Sequence, residues 1–190
     1  MSYTIKPLTS ELLEDYLWFF DNRAFCDNPE WAGCFCTFYM IKASAGEWMK
    51  RTPEMNRNRV IELIKSGKQG GFLAYNGNTP IAYCNANAKE NLCFDKFRTE
   101  INDTGTERIY SVVCFVIDPE YRRKGISKAF LKHIIINVDW EKYNCIEAYP
   151  SINTLDIKSN YHGFEHVYKE LYFEEYRIYK EHAVLRYNKK

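Results

Sequence analysis

The sequence lacks a strong charge of either sign, a long hydrophobic run and an N-terminal targeting pattern. Lys and Arg number 26 against 25 Asp and Glu, a formal net charge of +1. A near-neutral chain lacks the positive electrostatic field of a general nucleic-acid binder, although a local basic patch is compatible with this net charge. The longest apolar run, 112–117, is far shorter than the ~20 residues that cross a bilayer. No basic region followed by an apolar block, typical of a secretory signal, begins the chain. We therefore expect a cytoplasmic protein with no membrane and no nucleic-acid partner.

A low-complexity composition is also absent, which excludes disordered and collagen-like chains. The 190 residues are 46% hydrophobic and 27% charged, and this predicts one domain over 1–190 with a sizeable core. Seven cysteines are an odd number, and an unsecreted chain keeps its thiols reduced, so no disulfide framework is expected. Aromatic residues are dense at 16%, with 15 Tyr. They favour either a pocket lined by rings or an aromatic core.

Hydrophobic periodicity predicts one mixed α/β domain with the element order β α α β β β α β α β β. The predicted segments are strands at 3–6, 71–75, 79–86, 109–117, 145–149, 176–181 and 183–187, and helices at 9–20, 47–65, 126–138 and 163–170. Asn76-Gly77-Asn78 predicts a hairpin turn. Residues 24–46 predict an aromatic loop or broken helix, and 87–107 a poorly patterned excursion with a short helical turn near Phe94.

The sharpest local feature is a basic turn between a buried strand and an amphipathic helix. Arg122-Arg123-Lys124-Gly125-Ile126-Ser127 follows the apolar run 109–117, which is typical of a central strand buried on both faces. A helix N-terminus offers unpaired N–H groups and partial positive charge, so it can bind a phosphate. An ordinary basic turn capped by glycine is the alternative. The turn lacks the further glycines of a dinucleotide fingerprint and the Gly-Lys-Ser/Thr of a nucleotide-triphosphate loop.

At this turn the sequence resembles the GNAT superfamily of N-acetyltransferases, which bind acetyl-CoA through a strand, Arg/Gln-x-x-Gly-x-Gly/Ala and a helix. Residues 115–131 follow that pattern, with Ser127 where Gly or Ala is usual. Residues 168–173 are similar to the family's Tyr-x-x-x-Gly-Phe segment, with Tyr172 in place of Gly. The hairpin at 71–84 is similar too. WAGCFC and EAYP, which begin at Trp31 and Glu147, resemble segments of one branch of the superfamily, mostly of unassigned substrate.

The resemblance implies a fold and a cofactor site. The implied fold is a central mixed, twisted sheet of about seven strands with helices on both faces, whose two central parallel strands splay apart to bind acetyl-CoA. The pantetheine arm would pair with the backbone of Phe115 and Ile117, and the pyrophosphate would lie on the amides of residues 123–128. The implied cofactor-binding residues are Phe115, Val116, Ile117, Arg122, Arg123, Lys124, Gly125, Ile126, Ser127 and Lys128.

Direct acetyl transfer needs a neutral amine, a polarised thioester carbonyl and a proton for the departing thiolate. By the resemblance, Tyr168 is the candidate acid, because a phenol can protonate a thiolate as it leaves; a core Tyr on the last helix is the alternative. Glu147 is the candidate base, directly or through water, since it lies on an apolar strand beside the splay point and shares a face with Tyr149. It could instead bind the acceptor's ammonium or a backbone group. Bulk water serves as base in many members of the family.

Aromatic residues supply the candidate acceptor pocket, because in this fold 31–39 and 87–106 lie across the sheet from the cofactor. The candidates are Trp31, Phe35, Tyr39, Tyr83 and Tyr149. Aromatic rings can hold a cation by their faces, or they can simply pack a helix onto the sheet.

The cysteines and histidines predict no metal site. Cys34, Cys36, Cys84 and Cys93 match no familiar zinc spacing. Cys114, in the central strand, is expected to be a buried small hydrophobe rather than a nucleophile. The pair His162 and His166, four residues apart, is expected on one helical face as a solvated or capping pair.

The leading hypothesis is an acyltransferase that moves acetyl from acetyl-CoA to a primary amine of a small molecule, by direct transfer in a ternary complex. A catalytically weak acyl-CoA-binding module stays open, because Ser127 and Tyr172 depart from the family pattern. A protein N-acetyltransferase is a third possibility, although the dense aromatics favour a closed pocket over an open groove. The chain is expected to be a monomer or a homodimer.

Overall fold

The computed structural model describes residues 3–94, 101, 107–152 and 160–189. Within them, seven strands form one sheet in the order β1-β2-β3-β4-β5-β7-β6. Neighbouring strands are antiparallel except β4 and β5, which run parallel. The strands are β1 Thr4–Pro7, β2 Phe72–Asn76, β3 Thr79–Ala88, β4 Ile109–Ile117, β5 Cys145–Ala148, β6 Glu174–Ile178 and β7 Ala183–Asn188. The predicted mixed sheet of about seven strands is confirmed.

Five α-helices lie in the described part of the chain. They are α1 Leu13–Asn22, α2 Ala45–Met49, α3 Pro53–Lys65, α4 Ile126–Asn137 and α5 Glu165–Lys169. The single helix predicted at 47–65 is wrong, because it is divided between α2 and α3. Pro53 cannot donate inside a helix and takes the first position of α3, where Thr52 caps the helix by accepting from the Met55 N–H.

The sheet separates two hydrophobic cores, so helices cover both of its faces as predicted. On one face α1 and α3 pack against the strands, with Tyr16 and Val60 fully buried. On the other face α4 and α5 do so, with Phe130 and Tyr168 fully buried. This two-layer burial fixes the position of the central strands.

The parallel pairing of β4 with β5 is short. The first four residues of β4 lie opposite Cys145–Ala148, after which β5 ends and β4 continues to Ile117. Beside this second half of β4 lies the segment 160–163, because the Phe115 N–H donates to the Tyr161 carbonyl at 2.7 Å. The two central parallel strands thus separate where the sequence predicts, and β4 offers a flank that β5 does not cover.

The connections differ from the prediction in detail. The hairpin at Asn76–Gly77 is confirmed, with Gly77 at φ +59°. Residues 24–46 contain the 3-10 helices Pro29–Cys34 and Phe38–Met40, which confirms a broken helix. In the predicted excursion 87–107, a 3-10 turn follows β3 at Lys89–Asn91, and residues 95–100 and 102–106 lie outside the described residues. No helix among the residues described has the length and apolar character needed to span a bilayer.

Candidate active site

A cleft of about 1410 Å³ lies along the second half of β4. The turn into α4 forms one part of its lining, and the aromatic segment after α1 forms another. It brings together twelve predicted site residues: Phe115, Val116, Ile117, Arg122, Arg123, Gly125, Ile126, Ser127, Lys128, Trp31, Phe35 and Tyr39. Five others do not line it: Lys124, Glu147, Tyr168, Tyr83 and Tyr149.

The first turn of α4 presents backbone N–H groups that no intrahelical carbonyl can satisfy. No side chain caps this helix, whose N-cap is Gly125 at φ +79°, and Arg123 is also left-handed at φ +60°. A Cβ on Gly125 would meet no atom within 4 Å, so glycine is needed there for its backbone conformation rather than for space. Such a turn and helix N-terminus form an anion site of the kind that phosphates occupy.

The side chain of Arg122 is engaged within the protein. Its guanidinium binds both carboxylate oxygens of Asp27, at 2.6 and 3.0 Å, and its Nε donates to the Ile117 carbonyl at 3.0 Å. A bidentate pair of this kind is strong and geometrically specific. Arg122 therefore ties the loop after α1 to the end of β4 and shapes the cleft between them.

Two lysines of the turn also have protein partners. Lys124 Nζ lies 5.1 Å from the centre of the Tyr121 ring, outside the cleft. Lys128 lines the cleft, and its Nζ binds the Glu170 carboxylate at 2.6 Å. The backbone amides of the turn, more than its lysine side chains, are thus oriented for an anion.

Asn160 is a cleft residue that sequence reasoning missed. It is 7% exposed and lines the cleft, and neither its Oδ1 nor its Nδ2 has a hydrogen-bond partner among the described residues. A buried amide without partners costs free energy, so it suits a ligand that both donates and accepts. Nearby, the Phe115 carbonyl and the Ile117 N–H point to the same side of β4 as the Phe115 N–H, by the alternation of an antiparallel ladder. Amide groups spaced along an extended ligand, as in the pantetheine arm of CoA, fit this flank.

Tyr168 lies behind the cleft wall. It is fully buried in α5, its ring centre is 6.4 Å from that of Phe115, and its hydroxyl donates to the His162 carbonyl at 2.5 Å. Burial raises the pKa of Tyr168 well above its ordinary value of 10.0. The phenol therefore holds its proton at any physiological pH.

Glu147 lies in a buried ion-pair network on β5. Its Oε2 accepts from Lys89 Nζ at 2.8 Å and from the Tyr149 hydroxyl at 2.9 Å, and its Oε1 accepts from Arg186 Nε at 2.8 Å. Glu147 is 1% exposed. Burial, and then the charge of Glu147, raise the pKa of Tyr149 well above its usual range. Glu147 and Tyr149 do share a face of the sheet, but their polar atoms bind other protein groups and neither residue lines the cleft.

Aromatic rings dominate the part of the cleft opposite the turn into α4. Trp31 meets Tyr161 edge to face at 5.5 Å between ring centres, and Phe38 meets Trp48 in the same way at 5.0 Å. Trp48 and Tyr161 were missed because both lie outside the aromatic segment 31–39 in the sequence. Tyr83, predicted for this pocket, lies instead in the core beneath α1, where its hydroxyl donates to the Gly70 carbonyl.

Tyr39 connects the cleft to a buried histidine. Its hydroxyl lies 3.1 Å from His162 Nε2, and the two residues are 3% and 2% exposed. The solvated or capping pair predicted for His162 and His166 is wrong for His162. Gly163 has φ +80° and α5 begins only at Glu165, so His162 lies outside the helix and turns inward.

The seven cysteines are all free thiols. Cys34, Cys36 and Cys114 line the cleft, and the Sγ atoms of Cys36 and Cys114 are 3.3 Å apart. Burial raises the pKa of Cys34 to about 12 and that of Cys36 well above its ordinary value, so both stay protonated. Among the residues that the structure describes, no group of three or more His, Cys, Asp or Glu could hold a metal ion.

The chain is similar to known proteins both in sequence and in structure. The sequence profile of the acetyltransferase (GNAT) family matches residues 31–173. No curated protein sequence matches the chain. Among solved structures, the chain is similar to the PaiA N-acetyltransferase from Thermoplasma acidophilum in complex with coenzyme A, at 14% identity, 100% coverage of both chains and a TM-score of 0.54.

Two further structures have the same fold. An acetyltransferase from Thermus thermophilus is 11% identical, with 100% of this chain and 98% of that chain covered and a TM-score of 0.57. The NatC complex bound to Gag peptide and CoA contains a chain that is 11% identical, with both chains covered to 100% and a TM-score of 0.56. Because the profile match at 31–173 spans well over half of the 190 residues, the chain belongs to the acetyltransferase (GNAT) family.

Proposed function

We propose that the protein is an acetyl-CoA-dependent N-acetyltransferase that acts on the primary amine of a small molecule. The observation that carries this proposal is one cleft that joins the uncapped N-terminus of α4 to an aromatic wall. The N-terminus of α4 suits a phosphate-bearing acyl donor, and the aromatic wall suits an amine. The cleft thus offers a place for each of the two substrates of the reaction. Their meeting along the flank of β4 allows direct transfer in a ternary complex.

The residues present fit acetyl-CoA, which supplies the acetyl group as an activated thioester. We assign the pyrophosphate to the amides of residues 123–128, and the pantetheine amides to the Phe115 carbonyl and the Ile117 N–H together with the side chain of Asn160; the side chain of Val116 lines the cleft beside them. Arg122 acts by holding Asp27 and the Ile117 carbonyl, so its charge shapes the cleft. CoA-bound neighbours of the same fold support this assignment.

Tyr168 is the proposed acid for the departing thiolate. Its raised pKa keeps the phenol protonated, as an acid requires. Because the hydroxyl donates to the His162 carbonyl and Tyr168 does not line the cleft, the hydroxyl must leave that hydrogen bond and turn toward the cleft to serve. A Tyr168→Phe variant removes the proton while it keeps the ring that packs near Phe115.

The position of Glu147 on the strand predicts a general base, but in this proposal Glu147 has a structural role. Its carboxylate neutralises Lys89 and Arg186, both of them buried. Both oxygens of this carboxylate already accept from protein donors, and Glu147 does not line the cleft in which an acceptor would bind. We therefore assign Glu147 to the stability of the sheet.

The aromatic wall defines the acceptor side. Trp31, Phe38, Tyr39, Trp48 and Tyr161 surround it, and ring faces attract a cation such as an ammonium. A concave cleft with an aromatic lining is typical of small-molecule sites. A protein N-terminus is the second candidate acceptor, favoured by the peptide-bound neighbour of the same fold.

A CoA-release assay with named acceptors tests the proposal. The panel is phenethylamine, putrescine, glucosamine, lysine and a ten-residue peptide with a free N-terminus, each with acetyl-CoA and with mass spectrometry of the product. We expect amine-dependent release of CoA with a small amine and an N-acetylated product, abolished in Tyr168→Phe. Acetylation of the peptide alone would replace the small-molecule acceptor by a protein. Binding of acetyl-CoA without release for any acceptor would favour a silent acyl-CoA-binding module.

A further inference from the structure

We propose that Tyr39 and His162 form the path that removes the proton from the acceptor ammonium, with His162 as the base acting through Tyr39. The inference rests on the proposed function and deepens it, because direct transfer requires a neutral amine. In the proposed step Tyr39 Oη takes a proton from the ammonium as its own proton passes to His162 Nε2. The amine nitrogen then bonds to the acetyl carbon, the C–S bond breaks as Tyr168 gives its proton to the departing sulfur, and the second N–H proton of the amine restores the Tyr168 phenol. His162 then returns its proton through Tyr39 to water in the cleft.

The position of Tyr39 supports this path. Tyr39 lines the same cleft as Phe115 and Ile126, which belong to the cofactor part, and as Trp31, which belongs to the acceptor wall. Its ring meets Phe38 edge to face at 4.9 Å and Phe94 at 5.2 Å, so packing fixes its orientation. Tyr39 is thus a phenol of the cleft lining that its neighbours hold in place, as a proton relay to a bound acceptor requires.

The contacts of His162 support its part. Its Nε2 lies 3.1 Å from the Tyr39 hydroxyl, which is hydrogen-bond distance for proton transfer. Its ring packs against Tyr161 at 4.2 Å between ring centres, and its carbonyl accepts from Tyr168. Tyr39, Tyr161 and Tyr168 thus contact His162 through its ring or its carbonyl. A ring nitrogen of imidazole that carries no proton can accept one, and this is the role that we propose for His162 Nε2.

Competing groups are less well placed. Glu147 accepts from Lys89 and Arg186 and does not line the cleft. Cys34 and Cys36 line the cleft as thiols that hold their protons. His166 lines it too, but its side chain is exposed and its ring stacks on Phe164 at 5.8 Å, an apolar neighbour that cannot relay a proton.

The test compares His162→Gln, Tyr39→Phe and wild type in acetyl transfer to phenethylamine and to hydroxylamine. Gln can accept a hydrogen bond from Tyr39 but cannot take a proton. Hydroxylamine is already neutral at pH 7, so it needs no base. We expect both variants to lose about 10²–10⁴-fold in kcat/KM with phenethylamine and little with hydroxylamine, because general base catalysis contributes that range. His133→Gln, on the far face of the sheet beside Phe72, is the matched control and should behave as wild type.

The pH profile gives a readout that a merely structural role would not move. In wild type, kcat/KM with phenethylamine should rise with pH as the base loses its proton and then level off well below the amine's own pKa. In His162→Gln it should keep rising toward the amine's own pKa. Calorimetric titration of acetyl-CoA must show unchanged affinity in the variants. A wild-type profile in His162→Gln, or equal losses with both acceptors, would overturn the proton path alone. A wild type that binds no acetyl-CoA would overturn the proposed function itself.

Discussion

Replacement of Glu147 by Gln should destabilise the fold more than any comparable surface change. The carboxylate lies between Lys89 Nζ at 2.8 Å and the Arg186 guanidinium at 2.7 Å, with side chains that are 4% and 9% exposed. Gln keeps the volume but removes the charge, so Lys89 and Arg186 lose the buried carboxylate that they share, while Arg186 keeps its pair with Glu107 at 2.7 Å. Breaking a buried pair in this way costs about 3–5 kcal/mol. For a chain of this length that shift lowers Tm by about 10 °C.

Thermal unfolding followed by circular dichroism measures this effect. Glu11→Gln, an exposed carboxyl at the start of the chain's first helical segment, is the matched control and should change the free energy of unfolding by less than about 0.5 kcal/mol. Activity of Glu147→Gln, measured well below its Tm, should remain within a few-fold of wild type. A Tm within about 2 °C of wild type, with a large loss of kcat, would refute the reasoning and restore Glu147 as a base.

Three further predictions concern backbone strain and thiol chemistry. Tyr172 has φ +66° where the family has Gly, so Tyr172→Gly should raise the free energy of unfolding by about 1 kcal/mol, while Tyr172→Ala should not; urea denaturation decides this. Gly125→Ala should lower stability by about 1 kcal/mol through its φ of +79° and weaken acetyl-CoA affinity in calorimetry, and an unchanged affinity would argue against the anion site. Iodoacetamide at pH 8 should label exposed Cys26 well before Cys34 or Cys36, because burial raises the pKa of Cys34 to about 12 and that of Cys36 above its ordinary value. Mass spectrometry of peptides measures the order of labelling. Fast labelling of Cys36 would contradict its burial.

The fold was accessible from the sequence because its signals are local. Alternation predicts the strands, and the Asn76-Gly77 turn predicts the hairpin. The apolar run at Ile109–Ile117 predicts a central strand because a strand buried on both faces needs no polar alternation. The boundary at Pro53 was missed because the apolar periodicity continues across it, whereas the backbone cannot.

The candidate site was accessible only in part. The turn around Gly125 could be predicted because helix N-termini have a simple chemistry that adjacent residues encode. Glu147 was predicted as a base because a carboxyl on an apolar strand indicates an unusual environment, but its partners Lys89 and Arg186 are remote in sequence. The pairing of Tyr39 with His162 joins residues 123 positions apart, so no local pattern reveals it.

Calorimetric titration with acetyl-CoA and with acetyl-pantetheine tests the central claim most directly. The two ligands share the thioester and the pantetheine amides, but only acetyl-CoA carries the pyrophosphate that the amides of residues 123–128 should bind. We predict saturable binding of acetyl-CoA and affinity at least about tenfold weaker for acetyl-pantetheine, a loss of about 1.4 kcal/mol or more. Equal affinity for the two ligands, or no heat with acetyl-CoA, would contradict the assignment of this cleft to an acyl-CoA.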